Sequence, residues 1–145
     1  RPKDERKKAV DDALALVQLS GYGKRMPAEL SGGQRQALTL LMATIKRPKL
    51  LLLDEHTAAL DPKTAAKVLS LTERIIDRDK LTALMITHNM RDALKYGNRL
   101  IMMYNGRILV DVAGEEKKNL TTQDLLLMFE KAAGNTLDSD RLLLG

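Results

Sequence analysis

Cysteine is absent from these 145 residues, so neither a disulfide nor a thiolate metal site can form. Two histidines alone do not supply the ligand set of a structural zinc site. Aromatic side chains are nearly as scarce, at 3%. Without them the net charge of +5 has no interleaved stacking platform for bases, and its lysines and arginines are scattered among 19 acidic residues. A solvated charged surface follows from that pattern, and no nucleic acid is expected as a partner. Long apolar runs are missing too. Nothing approaches the length of a membrane span, and the opening RPKDERKKAV is charged where a secretory signal is apolar. Membrane contact is therefore expected only through a partner.

What is present, 44% hydrophobic and 30% charged residues, suits a globular chain about the size of one domain. Val10, Ala13, Leu14 and Val17 recur at helical spacing and predict an amphipathic helix over residues 4–19. After the loop SGYGKRMPAE, a second helix is expected from Gly32 to about Lys46. Its apolar side is read as Leu38, Leu41, Met42 and Ile45, with Pro48 beyond its end. KLLLLDE, residues 49–55, shows no alternation, which predicts a strand buried on both faces of a parallel sheet.

Asp61 and Pro62 read as the N-cap and first position of a helix to about Arg78 that buries Ala65, Val68, Leu69, Thr72 and Ile76. TALMIT, residues 82–87, predicts a second buried strand, with a short helix near Met90 to Lys95 after it. Strand and helix in alternation argue for an α/β layer. Asn105-Gly106 between RLIMMY and RILVDV predicts a hairpin. A helix near Thr122 to Ala132 and a mobile tail are expected last, and Met85, Met90, Met102 and Met103 are read as core filler.

The stretch ELSGGQRQALTL, residues 29–40, carries a sharper signal. Ser31 and Gln34 have the spacing of a capping box. That leaves Gly32 and Gly33, each costing roughly 1 kcal/mol in a helical turn relative to alanine. A site where a ligand must approach the backbone closely accounts for all four residues. Asp54 and Glu55 end the leucine strand and Thr87-His88 end the next, at the carboxyl edge where α/β sheets hold ligands. Paired carboxylates in that place suit magnesium and an activated water.

LSGGQ at 30–34, LLLLDE at 50–55, TAALD at 57–61 and ITH at 86–88 resemble, in order and spacing, four motifs of the ATP-binding cassette (ABC) ATPases: the signature, Walker B, D-loop and switch histidine. The resemblance implies an α/β, partial P-loop NTPase-like core. Residues 1–47 would be the end of the helical subdomain with the signature and its helix, and 48–145 the carboxyl-terminal half of the catalytic core, together one incomplete domain. It implies ATP and Mg2+ as cofactors. Asp54 would position Mg2+, Glu55 would polarise the hydrolytic water, and His88 would contact the γ-phosphate side. Asp61 would lie across a dimer interface, and Ser31, Gly32, Gly33 and Gln34 would face ATP held by the opposite subunit.

The sequence departs from the family pattern in places. His56 stands where proline is usual and is expected as a surface or loop side chain; Ala37, Ala58 and Asn89 replace a common arginine, serine and aspartate. None of these removes a catalytic group. The Walker A pattern G-x-x-x-x-G-K-[ST] does not occur: the one Gly-Lys pair is Gly23-Lys24, and five residues before Gly23 stands Gln18. The nucleotide-stacking aromatic and the glutamine loop have no counterpart either.

The resemblance thus implies the energy-coupling subunit of a bacterial-type importer, a head-to-tail homodimer working with membrane permease subunits at the cytoplasmic face of the cell membrane. These residues by themselves are expected neither to hydrolyse ATP nor to hold it tightly, and an exposed sheet edge is expected to make them self-associate. Two alternatives stay open: a soluble ABC ATPase of translation or DNA repair, and a non-enzymatic module that donates Ser31, Gly32 and Gly33 in trans.

Overall fold

The computed structural model describes residues 31–144 together with Lys3, Asp4, Lys7, Lys8, Asp11 and Ala15, and side chains as far as Gly134. The helix expected over 4–19 and the loop after it otherwise lie outside the described residues. Asp4, Lys7, Lys8, Asp11 and Ala15 are helical and exposed, at the spacing of one polar helix face. Two compact units divide the chain, the first ending at Ile86 and the second beginning at Thr87.

In the first unit, α1 (Gly32–Thr44), β1 (Leu51–Asp54), α2 (Pro62–Asp79) and β2 (Ala83–Ile86) follow in order. The two strands pair in parallel, with Leu51 opposite Ala83 and Asp54 opposite Ile86. Helix α2 provides the crossover that a parallel pair requires. Asp61 starts it by accepting the Thr64 N–H at 3.1 Å, with Pro62 in the first turn, and Lys80 ends it in the left-handed region at φ 49°. The core is formed by Ala37, Leu40 and Leu41 of α1, Leu51 and Leu53 of β1, and Leu71 and Ile75 of α2, with Leu81.

The buried helix faces match expectation in part: Leu41 of α1 and Val68, Leu69 and Thr72 of α2 are buried as expected, and Leu38 packs against the core. Helix α1 turns Gly33, Ala37, Leu40, Leu41 and Thr44 inward, leaving Met42 and Ile45 about two-thirds exposed at 66% and 65%. Both sets obey helical spacing, because α1 is apolar on more than one side. The set that packs on α2 includes its smallest residues, which permit the closest approach of the two helices. In α2, Ile75 is fully buried and Ile76 only partly.

Strand β1 also departs from expectation. Leu51 and Leu53 are buried, but Leu52 is 65% exposed and shares its face with exposed Leu84 and Ile86 of β2. Helices cover one side of this pair; among the described residues nothing covers the other.

The second unit contains α3 (Met90–Lys95), β3 (Arg99–Tyr104), β4 (Arg107–Ala113), α4 (Gly114–Lys118) and α5 (Thr122–Leu144). β3 and β4 form the expected hairpin, and both turn residues, Asn105 at φ 47° and Gly106 at φ 74°, take the positive angles of a type I′ turn. A bulge between Met102 and Met103 shifts the register. Leu100, Val110, Val112 and Leu125 make the core, joined by Met90, Met102 and Met128. Met103 is not core filler: strand alternation puts it on the outer face opposite Ile108, 65% exposed.

Thr121 and Asp124 cap α5 reciprocally at 3.0 and 3.1 Å, and the helix continues to Leu144 where a mobile tail was expected. Lys117 is buried and donates to the carbonyls of Tyr96 and Gly97 at 2.8 and 2.7 Å. No helix among the described residues is long and apolar enough to cross a membrane.

Candidate functional site

The candidate residues of the first unit form two groups, one at the start of α1 and one at the carboxyl end of β1. Ser31 is the N-cap of α1: its Oγ accepts the Gln34 N–H at 3.2 Å, and Gln34 Oε1 accepts the Ser31 N–H at 3.0 Å. The capping box read from the sequence is therefore complete. A helix leaves its first N–H groups without intrahelical acceptors. Ser31 supplies partners for Gln34 through its hydroxyl and for Arg35 through its carbonyl, at 2.9 Å, which leaves those of Gly32 and Gly33. No acidic side chain in the first turn offsets the positive end of the helix dipole.

The two glycines are not equivalent. Gly32 is exposed, and a Cβ there would sit 3.4 Å from Leu60 Cδ2, an ordinary contact. Gly33 is buried, and a Cβ there would run into Thr64 Cγ2. The chain's own packing thus accounts for the bare backbone at Gly33, whereas at Gly32 it does not. Thr64 also holds the exposed Asp61 carboxyl below its ordinary range, first through its hydroxyl and then through its N–H, which donates to Asp61. Through Thr64, the start of α1 and the segment 60–64 meet within one chain.

At the end of β1, Asp54 is exposed and Glu55 half-buried. Glu55 takes φ 49°, a left-handed conformation that costs a residue with a Cβ about 1–2 kcal/mol. Its N–H donates to the Ile86 carbonyl at 2.9 Å, and its carbonyl accepts the Ala58 N–H at 3.0 Å. Backbone strain of this kind concentrates at functional sites. Among the described residues no three carboxylate or imidazole side chains converge as a metal cage. One exposed carboxylate suits Mg2+, which keeps several waters and takes one or two carboxylates plus substrate oxygens.

His56 is a loop side chain, as expected, but a half-buried one with a partner. Its Nε2 lies 3.1 Å from Thr72 Oγ1, and burial lowers its pKa. Thr72 is buried in α2 and gives its own hydroxyl proton to the Val68 carbonyl at 2.7 Å. A hydroxyl has one proton, so the imidazole must be the donor in this pair.

His88 belongs to the second unit and is exposed. The next residue, Asn89, caps α3 by accepting the Asp92 N–H at 3.1 Å, while its own N–H donates to Thr87 Oγ1 at 3.1 Å. Asparagine caps a helix as well as the aspartate common at this position. The structure thus brings Ser31, Gly32, Gly33 and Gln34 together with Asp61, and Asp54 with Glu55. Sequence reasoning missed Thr64 and Thr72. Thr72 lay on the predicted buried face of its helix, and a buried hydroxyl that must find partners was the available signal.

Comparison with known proteins gives a consistent result. The model of a family described as ABC transporter matches residues 2–58. The tyrosine transport ATP-binding protein of Clostridioides difficile is 54% identical over 103 residues, 71% of this chain and 41% of that protein. A methionine import ATP-binding protein of Shouchella clausii is 39% identical over 127 residues, 84% of this chain and 37% of the relative. A sulfate/thiosulfate import ATP-binding protein of Gloeobacter violaceus is 40% identical over 107 residues, 74% of this chain and 31% of the relative.

A solved structure of a metal-chelate type ABC transporter in an inward-facing conformation superposes with a TM-score of 0.67 at 29% identity, covering 90% of this chain and 51% of that one. The chain spans less than half the length of these three sequence relatives. With the capped start of α1, the strand-end carboxylates and these similarities together, the chain belongs to the ABC transporter ATP-binding family.

Proposed function

We propose that the chain is part of the ATP-binding, energy-coupling subunit of a bacterial-type ABC importer. The observation that carries this reading is the end of β1. Consecutive strand residues send their side chains to opposite faces. The left-handed backbone at Glu55 breaks that alternation directly after Asp54, which lets two neighbouring carboxylates serve one sheet edge. The names of the relatives, all ATP-binding proteins of transport or import, support the same assignment.

In this reading Asp54 holds Mg2+, which when bound neutralises charge on the phosphates of ATP. Glu55 accepts a hydrogen bond from the attacking water and takes its proton, and its doubly anchored backbone keeps the carboxylate in place. His88 contacts the γ-phosphate side. The Gly32 N–H, the Ser31 hydroxyl and the Gln34 amide present donors at the positive end of α1 to nucleotide held by a second ATPase subunit. Asp61 sits beside that contact. Permease subunits place the assembly on the cytoplasmic face of the membrane. No Walker A sequence occurs in the 145 residues, so they do not hydrolyse ATP by themselves, and the uncovered face of β1 and β2 drives self-association.

Glu55→Gln in an ATPase-competent protein that includes this chain tests the assignment. Hydrolysis is expected to fall by about 10²-fold or more while ATP still binds, and an unchanged turnover refutes Glu55 as the base. The Gly32 N–H at the start of α1, which no backbone acceptor among the described residues takes up, also suits a second reading, a module that donates its signature in trans. Mixing this chain with a subunit whose own signature is disabled and measuring phosphate release separates the two: rescue supports donation, and silence removes it.

A further inference from the structure

His56 is left unused by the chemistry above, yet the structure makes it part of the turn that carries Glu55. We propose that His56 is a positioning residue: its imidazole clips the turn after β1 to the side of α2 at Thr72, and so fixes the direction of the Glu55 carboxylate. The inference rests on the reading of Glu55 as the base.

Three restraints converge on one strained residue. The Glu55 N–H is tied to β2 through Ile86, and its carbonyl to the next turn through Ala58. Those bonds hold the backbone of residue 55 and close the turn to Ala58, and the anchor of residue 56 ties that turn to α2. That anchor is Nε2–H donating to Thr72 Oγ1 at 3.1 Å. The acceptor is rigid, because Thr72 is 3% exposed and its hydroxyl proton is committed to Val68 within α2. A left-handed residue with a Cβ persists only where its surroundings over-determine it. The imidazole adds a restraint on the outgoing side by tying the turn to α2, the helix that follows the carboxylates in the chain.

The test uses an ATPase-competent protein that includes this chain. Thr72→Val keeps the shape and removes the acceptor, Thr72→Ser keeps the acceptor, and His56→Phe keeps a ring and removes the donor. Thr72→Val and His56→Phe are each expected to lower kcat about tenfold or more with KM for ATP unchanged, since a small misplacement of a catalytic group is costly. Thr72→Ser should retain wild-type kcat. The double variant should be no slower than the slower single, and in the Glu55→Gln background Thr72→Val should change nothing further.

Hydrogen exchange of the Ala58 amide, bonded to the Glu55 carbonyl, should speed up in His56→Phe while exchange in the core of α2 stays unchanged. Loss of α2 protection, or a fall in kcat no larger than the fraction unfolded, overturns the positioning role. If Glu55→Gln abolishes turnover but Thr72→Val and His56→Phe leave kcat intact, the clip is wrong and the base stands. If Glu55→Gln leaves turnover intact, the base itself is wrong and the clip falls with it.

Discussion

Gly33→Ala is the sharpest probe of what the paired glycines are for. Alanine in a helix is worth up to about 1 kcal/mol over glycine, so on propensity alone the change stabilises. At this position the new Cβ would overlap Thr64 Cγ2, and overpacking of a tight contact typically costs about 1–3 kcal/mol. The balance predicts a net loss of up to about 2 kcal/mol.

Thr64→Ser deletes that methyl while keeping the hydroxyl and the N–H that serve Asp61. The nearest remaining atom is then the Cβ of residue 64 at 3.8 Å, an ordinary contact. Gly33→Ala should therefore be neutral or mildly stabilising in the Thr64→Ser background, with a coupling of about 1–3 kcal/mol between the two sites. Urea unfolding followed by circular dichroism, in any length of the protein that unfolds cooperatively, measures all four corners of the cycle. Equal destabilisation in both backgrounds would refute the packing argument. The double variant then reports on function: if it folds normally yet abolishes nucleotide-dependent activity, the backbone at 33 serves a ligand as well as Thr64.

Three further outcomes are expected. Lys117→Met leaves the Tyr96 and Gly97 carbonyls without their donor and should lower the stability of the second unit by about 1–3 kcal/mol; an unchanged thermal midpoint contradicts this. His56, its pKa lowered by burial from 6.5, takes up a proton in the unfolded chain before it does so in the folded one. Its contribution to stability is full above about pH 6.5 and declines as pH falls through that value toward the lower folded pKa. Wild type should thus lose more stability than His56→Phe between pH 7.5 and 5.5, and equal losses would count against the burial argument. Leu52→Lys with Leu84→Lys should shift the sedimentation of this chain toward monomer, and no shift places self-association elsewhere.

How far the sequence could be read depended on how local the signal was. The Ser31 cap, the Asp61-Pro62 start and the Asn105-Gly106 turn are each decided within four residues, and the structure reproduces all three. The ABC family could be named because four short motifs keep a fixed order. Choices between competing faces were misread where two answers satisfy the same period: Leu38, Leu41, Met42 and Ile45 fit a helix as well as Gly33, Ala37, Leu41 and Thr44, and only the partner helix decides. The leucine run reads as a strand covered on both sides because identical residues carry no phase. The roles of Thr64 and Thr72 depend on contacts between α1, the turn after β1 and α2, and no local pattern encodes them.

Lys117 has an experimental use outside the question of nucleotide. Its amine is spent on two backbone oxygens and its side chain is buried, so reagents that acylate lysines should reach it more slowly than the surrounding surface lysines. Modification at that one position, read by mass spectrometry, would act as a built-in clock for the opening of the carboxyl-terminal half of the chain.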